Sequence, residues 1–366
     1  MFKVSIKPQW TIRQQDTQLL PRRLIELLVD IHEHGSIAGA CESSGTSYRY
    51  AWGLLQDGQT MFGAPLVNMA RGKSATLTPL GEKLVWADRR IAARLSPALD
   101  SLASELEVEI ERALSDTPSV MRIHASHGFA VEALRGFLMR AQIPVDLKYR
   151  GSQEAVASLA SGGCDVAGFH VPLGDFEQRS LEYYARWIDP DRQKLINVAT
   201  RRQGLMVARG NPKKIYRIAD LARDGVRFIN RQPGSGTRVL LDLLLEREQL
   251  DPGSIQGYDD GEHTHAAVAA YIASGMADAG FGIETPARQF NLEFIPIETE
   301  RYFLSCHNEA LEQEQIKHMM EILRSADFRG AVNALPGYNG DLAGNVEDVR
   351  SAFPQWPGSA DKSAKT

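Results

Sequence analysis

The sharpest chemistry in this chain is carried by Gly234-Ser235-Gly236-Thr237-Arg238, which falls between a short apolar run, RFIN, and a leucine-rich helical segment. Two glycines permit a tight turn, two hydroxyls sit beside the free N–H groups of a helix start, and an arginine adds a cationic fork. That combination suits an anion. The same string also makes a good helix cap, so it gains weight from its neighbours. Ser126-His127-Gly128 and Gly151-Ser152-Gln153 occupy equivalent corners between an apolar run and a helical pattern, and His170 is expected in the loop after a third apolar run. If these corners share one end of a sheet, Ser126, Ser152, Ser235, Gly236, Thr237 and Arg238 surround a small anion, with His127 and His170 beside them. A histidine near a cleft is also a common structural residue.

Other chemistries are less well served. The run DDGEHTHAA offers Asp259, Asp260, Glu262, His263 and His265, but the two histidines are two apart where helical metal ligands pair at three or four. GSGTR is not a P-loop, no Gly-x-Gly-x-x-Gly follows a strand, and no Gly-x-Ser-x-Gly elbow occurs. An enzymatic reading would use His127 or His170 as a base beside the anion, yet no third residue is visible to orient either. The expectation is therefore no catalytic residue, no metal and no cofactor, with a small anion as effector.

These corners need a scaffold. From Val120 onward short apolar runs (VMRIHA, PVDLKYR, DVAGFHV, LINVATRRQGLMVA, RFIN, AGFGI, FIPIETERYFLSC) alternate with helical segments near 129–141, 152–161, 235–249, 263–274 and 309–324. Strands alternating with helices predict an α/β domain over 119–340. The end of the chain, PQWPGSADKSAKT from Pro354 to 366, reads as a flexible tail.

Residues 35–81 predict a different device: a helix, a tight turn, a second helix and a basic β-wing. Ser36 caps a helix that turns Ile37, Ala40 and Cys41 inward, and Gly45 supplies the turn. Thr46 or Ser47 caps the next helix, with Trp52, Leu55 and Met61 or Phe62 expected inward. Its first turn, Ser47-Tyr48-Arg49-Tyr50, is left to reach phosphates and base edges. Leu66 to Met69 and Ala75 to Leu77 alternate as a hairpin whose tip, Arg71-Gly72-Lys73-Ser74, can follow a phosphate backbone. The expected DNA contacts are Ser36, Thr46, Ser47, Tyr48, Arg49, Trp52, Arg71 and Lys73. Residues 1–81 thus form a winged helix-turn-helix, and 82–114 a linker helix. Leu84, Ile91, Leu95, Leu99, Leu102, Leu106 and Ile110 give that helix a seam for a second copy, and Pro97 is expected to bend or split it. Ser115 to Ser119 reads as the linker to the α/β half.

The run Ser47-Tyr48-Arg49 followed by Ala51-Trp52, the basic wing and the closing Leu77-Thr78-Pro79-Leu80-Gly81 resemble the DNA-binding domain of the molybdate-responsive regulator ModE. More loosely, a helix-turn-helix followed by a long linker helix is similar to the LysR family. The resemblance implies a dimer on a palindromic double-stranded operator, with Ser47, Tyr48, Arg49 and Trp52 on the recognition helix. Residues 119 to about 335 resemble the periplasmic-binding-protein-like domain fused to ModE-type heads and to molybdopterin biosynthesis proteins, through ASHGFAVEAL, QPGSGTRVLLDLLL, HTHAAVAAYIASGMADAGFGIE and FRGAVNALPGY. That resemblance implies a type II, two-lobed α/β domain joined by crossover strands and closing on a small ligand. The chain departs from ModE in having nothing like its small molybdate-binding β-barrels. The expected function is a ligand-responsive transcription regulator of molybdenum-related genes. Its expected effector is molybdate, tungstate, a molybdopterin-like pterin or a small carboxylate such as formate. The alternatives are an enzyme, or a ligand-independent assembly domain, on a DNA-binding head.

Composition bounds this reading. At 366 residues, 43% hydrophobic and 24% charged, the chain has the make-up of two or three ordinary globular domains and not of a disordered one. The net charge of −5 is unevenly spread: residues 1–94 hold 12 Lys and Arg against 8 Asp and Glu, and residues 95–366 hold 29 against 38. A basic head on an acidic body suits one end that neutralises phosphates. No run approaches the ~18 apolar residues of a membrane span, and the start lacks a signal-peptide run, so no membrane partner and a cytoplasmic location are expected. Cys41, Cys164 and Cys306 are too scattered for a disulfide framework or zinc site and read as buried apolar residues. A homodimer through the linker helix is expected, with tetramers open as pairs of dimers.

Overall fold

The computed structural model describes residues 2–14, 18–69, 74–114 and 120–356. The chain divides into two compact units, Lys7–Leu95 and Met1–Ile6 with Ser96–Thr366.

The first unit begins with a short antiparallel ladder of β1 (Arg13–Gln14) and β2 (Gln18–Leu19). Helices α1 (Arg22–His34), α2 (Ile37–Ser44) and α3 (Tyr48–Phe62) follow, then a hairpin of β3 (Val67–Met69) and β4 (Ala75–Leu77). The predicted caps are present: Ser36 Oγ accepts from Gly39 N at 3.0 Å, and Gly45 ends α2 at φ 65°, where a side chain would be strained. Leu24, Leu28, Ile31, Ile37, Ala51, Leu55, Leu66 and Val85 form the core.

The long helix α4 (Pro79–Leu114) starts earlier than residue 82 because the Leu77-Thr78-Pro79-Leu80-Gly81 run is itself a helix start. Thr78 Oγ1 donates to the Pro65 carbonyl at 2.8 Å and accepts from Gly81 N at 3.2 Å, while Thr78 N donates to the Leu66 carbonyl. Proline suits the first helical turn, where its missing N–H has no helical partner. Pro97 neither splits nor ends α4, which continues for 36 residues.

In the second unit, α4 covers an edge of a large sheet. β5 (Met121–Ala125), α5 (Phe129–Arg140), β6 (Val145–Tyr149), α6 (Ser152–Ala160) and β7 (Val166–Pro172) come first, followed by α7 (Glu177–Glu182) and β8 (Gln193–Val207). Next are β9 (Phe228–Arg231), α8 (Gly236–Arg247), β10 (Gly261–Glu262), α9 (His265–Ala273), β11 (Ala279–Ile283) and α10 (Glu284–Gln289). The chain returns through β12 (Glu293–His307), α11 (Glu314–Arg324), α12 (Ala326–Asn333), β13 (Tyr338–Asn339), β14 (Val346–Asp348) and α13 (Val349–Ala352). The sheet order is β10-β9-β11-β8-β12-β7-β5-β6, with β13 and β14 also paired to β8.

Two lobes share this sheet. Parallel β5, β6 and β7 carry one lobe, and parallel β9, β10 and β11 the other. The 15-residue strands β8 and β12 run antiparallel through both, so Leu195 and Phe303 lie in the core of the first lobe and Leu205 in that of the second. These are the expected crossover strands. The edge strand β6 is closed by hydroxyls of α4: Ser104 Oγ accepts from Leu147 N at 2.9 Å and Ser101 Oγ from Tyr149 N at 3.0 Å. Val4 N donates to Glu107 on the same helix.

The first residues of the tail expected to be flexible, 354–356, are instead packed on the domain through Trp356. Phe353 and Trp356 are buried against Val349 and Phe303 in the first lobe, because one aromatic three residues beyond a half-turn is enough to anchor the end. The α/β half accordingly extends past 340, through β14 and α13. The linker 115–119 and residues 357–366 lie outside the described residues.

Candidate functional site

Two surfaces collect the residues singled out above. The first is the opening turn of α3. Ser47 Oγ accepts from Tyr50 N and caps the helix, which leaves Tyr48, Arg49 and Tyr50 exposed. Trp52 differs from expectation: it is 41% exposed and faces out, one turn on from Tyr48. The buried face is instead Ala51, Leu54, Leu55, Gly58 and Met61. Gly58 sets this rotation, since a Cβ there would lie 2.4 Å from Leu24 and 2.7 Å from Leu66. Thr46 is half-buried in the turn after α2, and Ser36 serves as the cap of α2. Arg71 and Lys73 lie outside the described residues.

The second is a cleft of about 770 Å³ in the α/β unit, open along one side. The ends of β5, β6, β7, β9 and β10 meet there, as the alternation of strand and helix requires. Ser126, His127, Ser152, His170, Ser235, Gly236 and Thr237 all line it. The loops before α6 and α8 face each other closely, with a Cβ on Gly151 falling 3.8 Å from the Gly234 carbonyl.

Arg238 is the exception. Its guanidinium turns away from the cleft, pairs with Asp242 at 3.2 Å, donates to the Tyr258 carbonyl at 2.9 Å and lies 3.8 Å from the Tyr258 ring centroid. Helix geometry explains this. Ser235 caps α8 by accepting from Arg238 N, so position 238 is on the third residue of the helix, and its Asp242 partner is one turn on.

The cleft's cations come from elsewhere. Arg201, in the middle of β8, and Arg231, at the end of β9, both line it and are only 5% and 8% exposed. Arg201 Nε pairs with Glu300, its neighbour on β12, and Gln203 Nε2 bridges Glu300 at 3.0 Å and Thr237 Oγ1 at 2.9 Å. Arg231 has no carboxylate partner among the described residues: Nε donates to the Glu262 carbonyl and Nη2 to the His263 carbonyl. Burial, then Arg201, pushes Arg231 down to about 9, which leaves it protonated at neutral pH. Burial also works against the charge of Arg201, but Glu300 offsets it and holds that guanidinium above its ordinary value.

His170 and His265 are neutral partners in this cluster. His170 Nδ1 lies 3.3 Å from Ser126 Oγ and 3.4 Å from Ser152 Oγ, so one ring links the hydroxyls of two strand-to-helix corners. Its ring stacks on Tyr302 at 4.3 Å. His265, at the start of α9, lies 3.5 Å from Thr237 Oγ1. Burial, followed by the two arginines, holds both histidines well below the usual range. His127 packs edge-on against Tyr149 and faces Asp100 at 3.8 Å. Among the described residues no group of three His, Cys, Asp or Glu is arranged to hold a metal ion.

Lys148, Arg150, Glu105 and Glu154 add two charges of each sign to the cleft's lining, but in the buried cluster Arg201 and Arg231 stand against one carboxylate, Glu300, which leaves one positive charge uncompensated beside helix N-termini. Burying such a charge costs several kcal/mol unless a counter-charge joins it. The sequence signal for Arg201 is that Arg201-Arg202 falls between the apolar stretches Leu195-Ile196 and Leu205-Met206-Val207 of one strand.

The profile described as the PBP superfamily domain matches residues 136–324. The uncharacterized protein YvgK of Bacillus subtilis is 36% identical over 199 residues, which cover 54% of this chain and 64% of that protein. The molybdenum-pterin-binding protein MopB of Rhodobacter capsulatus is 34% identical over 116 residues, covering 30% of this chain and 43% of that one. The chain therefore spans less than two thirds of either relative. Among solved structures, a mutant of OxyR from Corynebacterium glutamicum with bound hydrogen peroxide has a TM-score of 0.44 at 14% identity, covering 85% of this chain and 93% of that chain.

Proposed function

We propose, for a chain that belongs to the PBP superfamily domain family, that it is a DNA-binding transcription regulator whose α/β unit senses a small anion. The observation that carries the sensing half is the charge balance of the buried cluster: Arg201 is paired with Glu300, whereas Arg231 donates only to backbone carbonyls. An anion supplies the missing charge, and Ser126, Ser152 and the N–H groups opening α6 and α8 stand ready to receive its oxygens. Because Arg201 and Glu300 sit midway along the two strands shared by both lobes, an anion bound there touches the crossover itself.

The DNA half rests on the exposed Tyr48, Arg49, Tyr50 and Trp52 at the start of α3. Pairing of two copies rests on α4, where Leu95, Leu102 and Leu106 remain exposed at seam positions. Molybdate, tungstate, a molybdopterin-type ligand and a small carboxylate all fit the charge class. The name of MopB favours a molybdenum-related effector and target genes.

The experiment is a thermal-shift titration of the full chain with molybdate, tungstate, phosphate and formate. A ligand that binds only the folded state raises Tm by mass action. At least one anion is expected to raise Tm in the native chain, and Arg231→Met is expected to lose about tenfold or more in affinity for it, as loss of a charged hydrogen-bonding partner implies. An unchanged response in Arg231→Met removes the anion site from this account.

A further inference from the structure

The cleft is much larger than the charge it must balance. A tetrahedral oxyanion takes the space of two or three waters, under roughly 100 Å³, whereas the cleft measures about 770 Å³ and lies within the ~300–1,000 Å³ range of sites for drug-sized molecules. Its two ends also differ in kind. Arg201, Arg231 and the helix N-termini make one end cationic. The other is walled by α4, where Pro97, Ala98, Ser101, Leu102 and Glu105 fall on one helical face. Ser101 is already engaged with Tyr149 N and the Pro97 carbonyl, so Pro97, Ala98 and Leu102 give this wall an apolar strip, bordered by the charged Glu105, Lys148, Arg150 and Glu154. The edge-on rings of His127 and Tyr149 continue it toward the cationic end. Leu102 is 51% exposed on this wall.

Building on the anion reading, we infer that the cleft takes an anion with an apolar, ring-sized extension, of the aryl or heteroaryl phosphate class. Its charge rests between Arg201 and Arg231, and its ring lies against Pro97, Ala98 and Leu102. A bare oxyanion fills only the cationic end. Leu102 belongs both to this wall and to the exposed seam, so a ring seated there bears directly on the helix that continues into the DNA-binding unit.

The test compares inorganic phosphate with phenyl phosphate by calorimetric titration of the full chain. Phenyl phosphate is expected to bind about tenfold more tightly, the return for burying one small ring. Ala98 lies on the cleft wall outside the buried core, so Ala98→Trp fills the apolar end without loading the core; it is expected to erase the advantage of phenyl phosphate while leaving inorganic phosphate unchanged. Leu102→Gln, which removes apolar wall without adding bulk, is expected to reduce the advantage in the same direction. Equal affinity of the two probes for the native chain, or an advantage that survives both variants, overturns the extension. Binding of neither probe, or indifference of both to Arg231→Met, overturns the anion reading beneath it.

Discussion

Arg231 and Arg238 stand at the two ends of one strand-to-helix corner and face different tasks. Arg238 is committed to Asp242 and Tyr258, so its role is to hold the start of α8. Arg238→Ala is expected to cost about 1–2 kcal/mol of stability, from a stacked guanidinium and its hydrogen bonds to Asp242 and the Tyr258 carbonyl, and to leave anion affinity in the cleft unchanged; denaturant melts and the anion titration check both halves. His170 and His265 make a second residue-scale prediction. Their folded values lie below the unfolded value of about 6.5, so below that pH the unfolded chain binds more protons and stability falls as pH falls toward the folded values. Above it the neutral state costs nothing. His170→Asn is expected to flatten the loss between pH 7 and 5 by up to about 1.4 kcal/mol per pH unit, and an unaltered slope in denaturation at the two pH values counts against a buried neutral His170. The hydroxyls and glycines of the cleft were legible because helix caps are local. Arg201, Gln203 and Glu300 were not, since strands about a hundred residues apart bring them together.

At the scale of elements, the strand and helix alternation could be read from apolar periodicity, as could the two strands of the wing, whose register, with Val67 facing Leu77, is set by the fold. The face of α3 could not. Counting only large apolar residues placed Trp52 inward, whereas the buried stripe is kept by Ala51 and Gly58, whose small size is what lets α1 approach. The start of α4 has a comparable small-residue requirement. A Cβ on Gly81 would fall 2.2 Å from the Leu66 carbonyl oxygen, and that oxygen already accepts from Thr78 N. Gly81→Ala must therefore displace backbone, and it is expected to destabilise the Lys7–Leu95 unit by about 1–3 kcal/mol; a melt of that unit indistinguishable from the native chain's would contradict the packing described.

For the whole molecule, α4 is the element that belongs to both units, passing from one to the other at Leu95 and Ser96. Its second half lies on β6, yet Leu95, Leu102 and Leu106 stay exposed, which a solitary helix has no reason to maintain. Leu106→Glu is expected to weaken self-association by about tenfold or more in sedimentation equilibrium, the scale of losing one buried leucine, and an unchanged equilibrium would reject α4 as the pairing surface. The basic surplus of residues 1–94 and the acidic surplus of the remainder give the molecule the charge division that duplex binding favours. The most direct measurement is the affinity of the full chain for a duplex selected from random DNA, with and without molybdate and phenyl phosphate, in the native chain, Arg49→Ala and Arg231→Met. The expected result is that an anion shifts the native chain's DNA affinity, Arg49→Ala weakens DNA binding throughout, and Arg231→Met binds DNA normally but ignores the anion. A native chain whose DNA affinity no anion alters, or an Arg231→Met variant that responds as the native chain does, would contradict the account.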